Sequence, residues 1–281
     1  MSAFLYTAAD AFASSIVQFA AGFASALLLR RLSVFGRLGA RLGGRLGPAS
    51  GPAAWAAVAA SALVGSLLPL GPAGAVPIAA AALSLGFGAE LAISFLCTNL
   101  FFDSLVPFAD PTFIWRTGYL RFLFALAAGI IGGLLALRAR EAALLSFRSG
   151  ALPSLRSARP DYRERVGSGA HARDALASLG IGAAYFAAGA LADAAFKRYL
   201  LAAIMAFAYT NPAASFIPGF FATRNVVNPF FLITMRIVAV LSDFSSLAAL
   251  ALVLRKRGFL RYFAYFAAWA FLLGLSAFFQ V

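Results

Sequence analysis

Charge is what this chain has least of. Asp, Glu, Lys and Arg make up 12% of its 281 residues, and ten residues are acidic. A soluble domain of this length carries about a quarter charged residues. So few polar groups cannot cover a water-facing surface, which excludes an ordinary soluble globule and calls for lipid around much of the chain. Cysteine and histidine are almost as scarce. Cys97 has no partner for an internal disulfide, and with His171 as the one histidine no Cys/His metal cluster can be built. A Ser/His/Asp set fails for the same reason. Residues 43–47, Gly-Gly-Arg-Leu-Gly, lack the Lys-Ser/Thr of a phosphate-binding loop. The expectation is a chain that is not an enzyme, with no cofactor and no metal.

What is present is apolar and arranged in runs. The set ACFILMVWY supplies 62% of the residues. A helix needs about 20 apolar residues to cross the hydrocarbon core. Residues 4–29, 53–70, 114–137, 175–196, 226–254 and 259–279 meet or approach that length. Residues 78–89 and 91–109 are two apolar pieces separated by Glu90, read as two short helices or as a re-entrant hairpin. Residues 199–224 are a further interrupted stretch. The fold class expected is all-α: a polytopic transmembrane helix bundle of about eight membrane-embedded segments. The first run is read as a retained span, because its basic residues follow it and Asp10 comes early.

The net charge of +13 sits between these runs. Arg30, Arg31, Arg37, Arg41 and Arg45 form one cluster, residues 138–173 hold eight Arg, and Arg255, Lys256, Arg257 and Arg261 form the third. This is the pattern of loops retained on the cytoplasmic face. It points to the anionic inner leaflet of the bilayer as electrostatic partner and away from nucleic acid. A multi-pass protein of the cytoplasmic membrane is the localisation expected, with both termini outside; Lys197 and Arg198 run against that orientation. Arg37, Arg41 and Arg45, spaced by four, share a helical face, which fits an interfacial amphipathic helix or a solvated, glycine-broken loop. Residues 138–173 read as a cytoplasmic linker between an N-terminal half, 1–137, and a C-terminal half, 174–281.

The halves carry an echo. Thr98-Asn99 recurs as Thr210-Asn211, each after an apolar run and each followed by phenylalanines, a proline (Pro107, Pro218) and an arginine (Arg116, Arg224). Paired interrupted segments at matching places are the sequence pointer to a transporter's central site. Residues 69–77, Pro-Leu-Gly-Pro-Ala-Gly-Ala-Val-Pro, are the other interruption. Breaks survive in lipid only where protein or a water-filled cavity covers them, and they free carbonyls and helix N-termini as ligands. A plain turn at the membrane surface is the alternative. Ionisable residues inside spans point to function unless they lie near the headgroups. Asp10, Glu90, Asp103, Asp193, Arg236 and Asp243 are the candidates, and Asp103 lies one turn beyond Asn99.

At residues 69–77 the chain resembles the bacterial predicted-permease family that includes organoarsenical efflux permeases. Pro69, Gly74 and Pro77 fall on the prolines and glycine of that family's Pro-x-Cys-Ser-Cys-Gly-x-x-Pro. Gly71 and Ala73 stand where it has its cysteines, and Pro72 where it has serine. Thr98-Asn99 occupy the place of its later Ser-Pro. The basic central loop and the length are also similar, so the resemblance spans most of the chain. It implies a two-halved permease fold. With no motif thiolate to bind a soft metalloid centre, it does not carry the substrate over.

The function expected is therefore a secondary permease moving a small solute or ion through a midplane site between two repeats. Gly71, Gly74 and Pro77 would form the break, with Thr98, Asn99, Asp103, Thr210 and Asn211 lining the pathway. Asp103 or Asp243 would couple protons. The alternative is a non-transporting scaffold or a subunit of a larger membrane complex.

Overall fold

A computed structural model of the chain describes residues 2–43, 51–68, 70–101, 119–138, 168–196, 244–254 and 256–275. Among these residues every element is an α-helix and there is no strand. The helices are α1 (Ser2–Arg31), α2 (Ser33–Gly43), α3 (Gly51–Leu67), α4 (Gly71–Ser84), α5 (Ala89–Phe101), α6 (Tyr119–Arg138), α7 (Ser168–Phe196), α8 (Phe244–Val253) and α9 (Lys256–Leu275).

Two stretches are long and apolar enough to cross a membrane: Phe4–Arg31, of 28 residues, and Arg173–Phe196, of 24. In each, 28% of the apolar window is buried. A core helix of a water-soluble protein would bury most of such a window. Instead Leu5, Tyr6, Val17 and Leu28 of α1 are exposed, as are Leu176 and Leu191 of α7, Trp55, Leu63, Val64 and Leu67 of α3, and Ile131 and Leu135 of α6. Large apolar side chains thus face outward on α1, α3, α6 and α7.

Helix directions follow from the contacts. Gly71 and Gly74 of α4 lie on Gln18 of α1, and Gly74 also lies on Gly22, so α1 and α4 run parallel. Residues 85–88 then reverse the chain. The Leu85 N–H donates to the Ala81 and Ala82 carbonyls and the Phe87 N–H to Ala82 (3.1 Å), closing the end of α4. Gly86 supplies the φ of +93° that this reversal needs, a value open to glycine at no steric cost. α5 therefore returns antiparallel to α4. On α6, Gly133 meets Val58 and Ser94, and Gly129 meets Ala62 and Thr98. Hence α3 and α5 run together, with α6 antiparallel to both. Small residues let these three backbones approach, and serines tie them: Ser94 Oγ donates to the Val58 carbonyl (3.0 Å) and Ser61 Oγ to that of Leu91 (2.8 Å). α9 lies antiparallel to α6, with Tyr265 Oη donating to the Ala128 carbonyl (2.6 Å) and Trp269 edge-on to Phe124.

The same directions gather basic residues at one end. Arg30 and Arg31 close α1, and Arg138 closes α6. Arg261 lies in the first turns of α9, on the α6 C-terminal side of the Tyr265 contact. α2 belongs to this end as well, its Gly39 set against the Leu85 carbonyl and Phe87 of the α4–α5 turn. Of the two readings for the Arg-Leu-Gly segment, the helical one is found. Arg37 and Arg41 are exposed on it, beside exposed Val34 and Leu38.

Several expected boundaries move. The interruption expected across residues 69–77 is confined, among the described residues, to the neighbourhood of 68–70, and 71–77 is helix. The reason is proline placement. Pro72 occupies the first turn of α4, where no N–H is required, and Pro77 is accommodated inside the helix. Of the apolar pieces at 78–89 and 91–109, residues up to 101 belong to two short helices, α4 and α5, meeting at 85–88, and residues 102–109 lie outside the described residues. α7 begins at Ser168, so the last residues of the expected linker, His171 included, belong to a helix. Most of that linker, the 199–224 stretch and the second-half repeat lie outside the described residues.

Candidate functional site

α4 and α5 are the most deeply buried helices among the described residues. In α4, residues 71–77 are all buried, as are Ala79, Ala80 and Ala81. α1, α5 and α8 pack around α4. Its starting point matters more than its burial. Gly71 adopts a φ of +65° and lies against the Gln18 side chain; a Cβ there would collide with the Gln18 amide. Gln18 stands at the centre of the 28-residue apolar stretch Phe4–Arg31. α4 therefore starts level with the middle of a helix long enough to cross a bilayer. Its 14 residues rise about 21 Å, short of a hydrocarbon core about 30 Å thick.

The first turn of α4 has N–H groups with no helical acceptor. Leu70, at the capping position, offers no side-chain bond to them, and Pro72 removes one donor from the set. The remaining donors and the positive end of the helix dipole point into the interior, an arrangement suited to a negative or carbonyl-bearing group. Inside α4, Pro77 cannot donate to the carbonyl four residues back, which leaves Ala73 without its helical partner.

Thr98 and Asn99 are both fully buried, at 0% exposure, near the far end of α5. Thr98 Oγ1 donates to the Ser94 carbonyl (3.0 Å) and Asn99 Nδ2 to that of Phe95 (3.0 Å), so each side chain folds back along its own helix. These bonds leave Asn99 Oδ1 buried without a hydrogen-bond partner. Gly65 of α3 makes room for the pair. A Cβ on it would stand 3.2 Å from Asn99 Nδ2, 3.2 Å from Thr98 Cβ and 3.0 Å from the Phe95 carbonyl oxygen. Gly129 of α6 does the same from the opposite side, where a Cβ would fall on Thr98 Oγ1. The α4–α5 reversal sets the two groups at one height. Gly74 and Asn99 each lie about 16 Å along their helices from the 85–88 turn.

The structure thus places Gly71 and Gly74 in the first turns of α4 and Pro77 midway along it, and sets Thr98 and Asn99 level with Gly74 on the adjacent helix. Asp103, Thr210, Asn211, Arg236 and Asp243 lie outside the described residues. Among the other candidates, Asp10 is exposed on α1, Asp193 is buried in α7, and Glu90 occupies the first turn of α5. Glu90 is folded over Gly88, with Oε1 buried and without a hydrogen-bond partner. Three residues not singled out from the sequence complete the site: Gln18, Gly65 and Gly129. Gln18 had a signal, being an amide in the middle of an apolar span. The glycines had a weaker one, small residues at helical spacing inside apolar runs.

Compared with protein-family models, with curated proteins and with solved structures, the chain matches none.

Proposed function

We propose that this chain is a secondary permease of the cytoplasmic membrane, its basic end cytoplasmic, that passes a small solute or ion through a site at the level of Gly71 and Asn99. The observation that carries this reading is the start of α4 beside Gln18. A helix that begins, buried and uncapped, at the middle of an apolar span has its unpaired N–H groups at the depth where lipid cannot satisfy them. Such a half-helix is tolerated where it lines a solute path, and its N-terminus then serves as ligand. α3 runs in from the basic end and α4 runs back to it, both packed on α5, and in this reading the two are re-entrant rather than a pair of spans.

The second half supplies the opposing wall through Thr210 and Asn211, and Asp103 or Asp243 moves the coupling proton. The likeness of Pro69, Gly74 and Pro77 to the permease motif supports the same reading. The outward apolar side chains of α1, α3, α6 and α7 meet acyl chains, while Arg37 and Arg41 of α2 meet anionic headgroups.

The test has two stages. Purified protein is screened by thermal shift against small anions, cations and metalloids, since a ligand of the native state raises its apparent stability. Each hit is then loaded into proteoliposomes. Saturable uptake is expected in the wild type and none in Asn99→Leu or Asn211→Leu, with expression and melting retained. Unchanged uptake in both variants removes the proposed site. Absence of any hit or uptake favours the scaffold reading.

A further inference from the structure

α2 lacks what a free-standing helix needs. It has 11 residues, with Gly36, Gly39 and Gly43 among them and no acidic side chain. A helix shorter than about 12 residues is marginal in water, and interior glycines weaken it further. Arg37 and Arg41, one turn apart, repel each other along it. The protein side offers little in return. Gly39 lies on the Leu85 carbonyl and the Phe87 ring, and a Cβ on Gly36 would reach Leu85 Cδ2 at 4.0 Å. These contacts cover glycine backbone rather than apolar side chains, so much of what keeps α2 helical must come from its other face.

Helical spacing puts Val34, Arg37, Leu38 and Arg41 together on that face, away from Gly36 and Gly39, and all four are exposed. Ser33 stands at its edge. The Ser33 Oγ accepts from Arg37 Nη2 (3.4 Å) and keeps its own O–H for an acceptor. The chain supplies no counter-charge here. It has no acidic residue between Asp10 and Glu90. Asp10 lies in the first half of α1, away from the basic end, and Glu90 is folded over Gly88. Among the described residues neither arginine has an ion-pair partner. Residues 138–173 carry eight Arg against three acidic residues, so their net charge repels this face rather than covering it. Guanidiniums interleaved with aliphatic side chains fit the boundary of a phospholipid, where the cations reach phosphate and the aliphatics reach acyl chains.

We propose that the outer face of α2 is a docking site for one anionic phospholipid, its phosphate held by Arg37, Arg41 and the Ser33 hydroxyl and its acyl chains against Val34 and Leu38. The phosphate makes charge-assisted hydrogen bonds to the guanidiniums and offsets their mutual repulsion. A net negative headgroup is required, because a choline group would bring a further cation to the same pair. The bound lipid keeps α2 helical and seated, through Gly39, on the turn where α4 gives way to α5. It thereby stabilises that turn. The site deepens the membrane placement of the proposed function and rests on it, whereas lipid-dependent transport would rest on the permease reading as well.

The test follows thermal unfolding of the full chain in an uncharged detergent. Phosphatidylglycerol, phosphatidylcholine or soluble glycerol 3-phosphate is titrated in, since a ligand of the native state raises its melting temperature. The wild type is expected to show a saturable rise with phosphatidylglycerol, half-complete at a mole fraction at least about tenfold below that for phosphatidylcholine. Arg37→Gln combined with Arg41→Gln is expected to fold, both side chains being exposed, and to lose this preference. Arg138→Gln removes an exposed charge from the same end and is expected to keep it. Equal responses to the two lipids overturn the proposal, as does a preference retained in the double variant. An equal loss in Arg138→Gln overturns it in favour of diffuse attraction. Saturation by glycerol 3-phosphate overturns it in favour of a free phosphate ester. A melting temperature that rises with chain concentration without lipid, and not in the double variant, would give the face to a second copy. A lipid preference in a chain that moves no solute keeps the site and loses the permease reading. Uptake without any lipid preference does the reverse.

Discussion

Replacing Gly22 by leucine is expected to abolish a stable fold, lowering stability by about 3 kcal/mol or more. A Cβ on Gly22 would fall on the Gly74 carbonyl oxygen, with the Gly74 Cα and carbonyl carbon at 2.7 Å. These are backbone atoms of a helix packed on several sides, so no side-chain rotation relieves the clash. Gly74 is pinned in turn, since a Cβ there would meet the Gln18 carbonyl oxygen at 2.9 Å. The contact sets how closely α1 and α4 approach and holds the start of α4 at the Gln18 level. Gly180 is the internal comparison: it is exposed on α7, with nothing within 4 Å of its Cβ position. Gly180→Leu is expected to melt within about 0.5 kcal/mol of the wild type. Thermal melts in one detergent, read by retention of a monodisperse peak, separate the two. Equal melting of both variants would refute the close helix pair.

A single methyl group at Gly129 is expected to eliminate transport while leaving most of the fold. In Gly129→Ala the new Cβ lands on Thr98 Oγ1, with the Ala62 Cβ and the Ser94 carbonyl oxygen each 3.0 Å away. Thr98 can rotate, unlike the backbone met at Gly22, so the expected stability loss is smaller, about 1–3 kcal/mol. Rotation breaks the bond from Thr98 to the Ser94 carbonyl and shifts the wall beside Asn99. Uptake by proteoliposomes of the variant is expected to fall at least about tenfold at equal protein content, because a misplacement of about 1 Å in a binding constellation has effects of that order. Gly129→Ala with wild-type uptake would show that Thr98 does not line the path.

The helical character of the chain could be read from its long unbroken apolar runs, because a backbone in lipid is paired within helices or closed barrels, and barrel strands alternate apolar with polar residues. The basic clusters likewise foreshadowed the end of the bundle where Arg30, Arg31, Arg138 and Arg261 gather. Residues 69–77 drew attention for their prolines and glycines, but the roles of those residues were not legible one by one. Pro72 and Pro77 look like breakers in sequence and are housed in α4, while Pro69 precedes the helix. Whether a proline breaks a helix depends on which carbonyl lies four residues back and what covers it, and that is a matter of packing. Gly74 reads as flexible and is instead the contact point with α1. Thr98 and Asn99 were identified by their recurrence at 210 and 211, yet their importance within the described residues comes from Gly65 and Gly129, which are distant in sequence. Gln18 escaped notice because one amide in a span is unremarked until a neighbouring helix is seen to start beside it.

Everything proposed for function depends on the depth of the α3–α4 junction. A nitroxide attached to cysteine at Leu68, in a Cys97→Ala background and in lipid bilayers, measures that depth through its relative accessibility to oxygen and to a water-soluble nickel chelate. A second label at Arg37, exposed on α2, marks the headgroup level of the basic end. The expected result places residue 68 about 20 Å from that level, inside the hydrocarbon core, as the rise of α4 from its start to the 85–88 turn requires. A label at 68 that reads at a headgroup plane would make residues 68–70 an ordinary surface turn and contradict the re-entrant site.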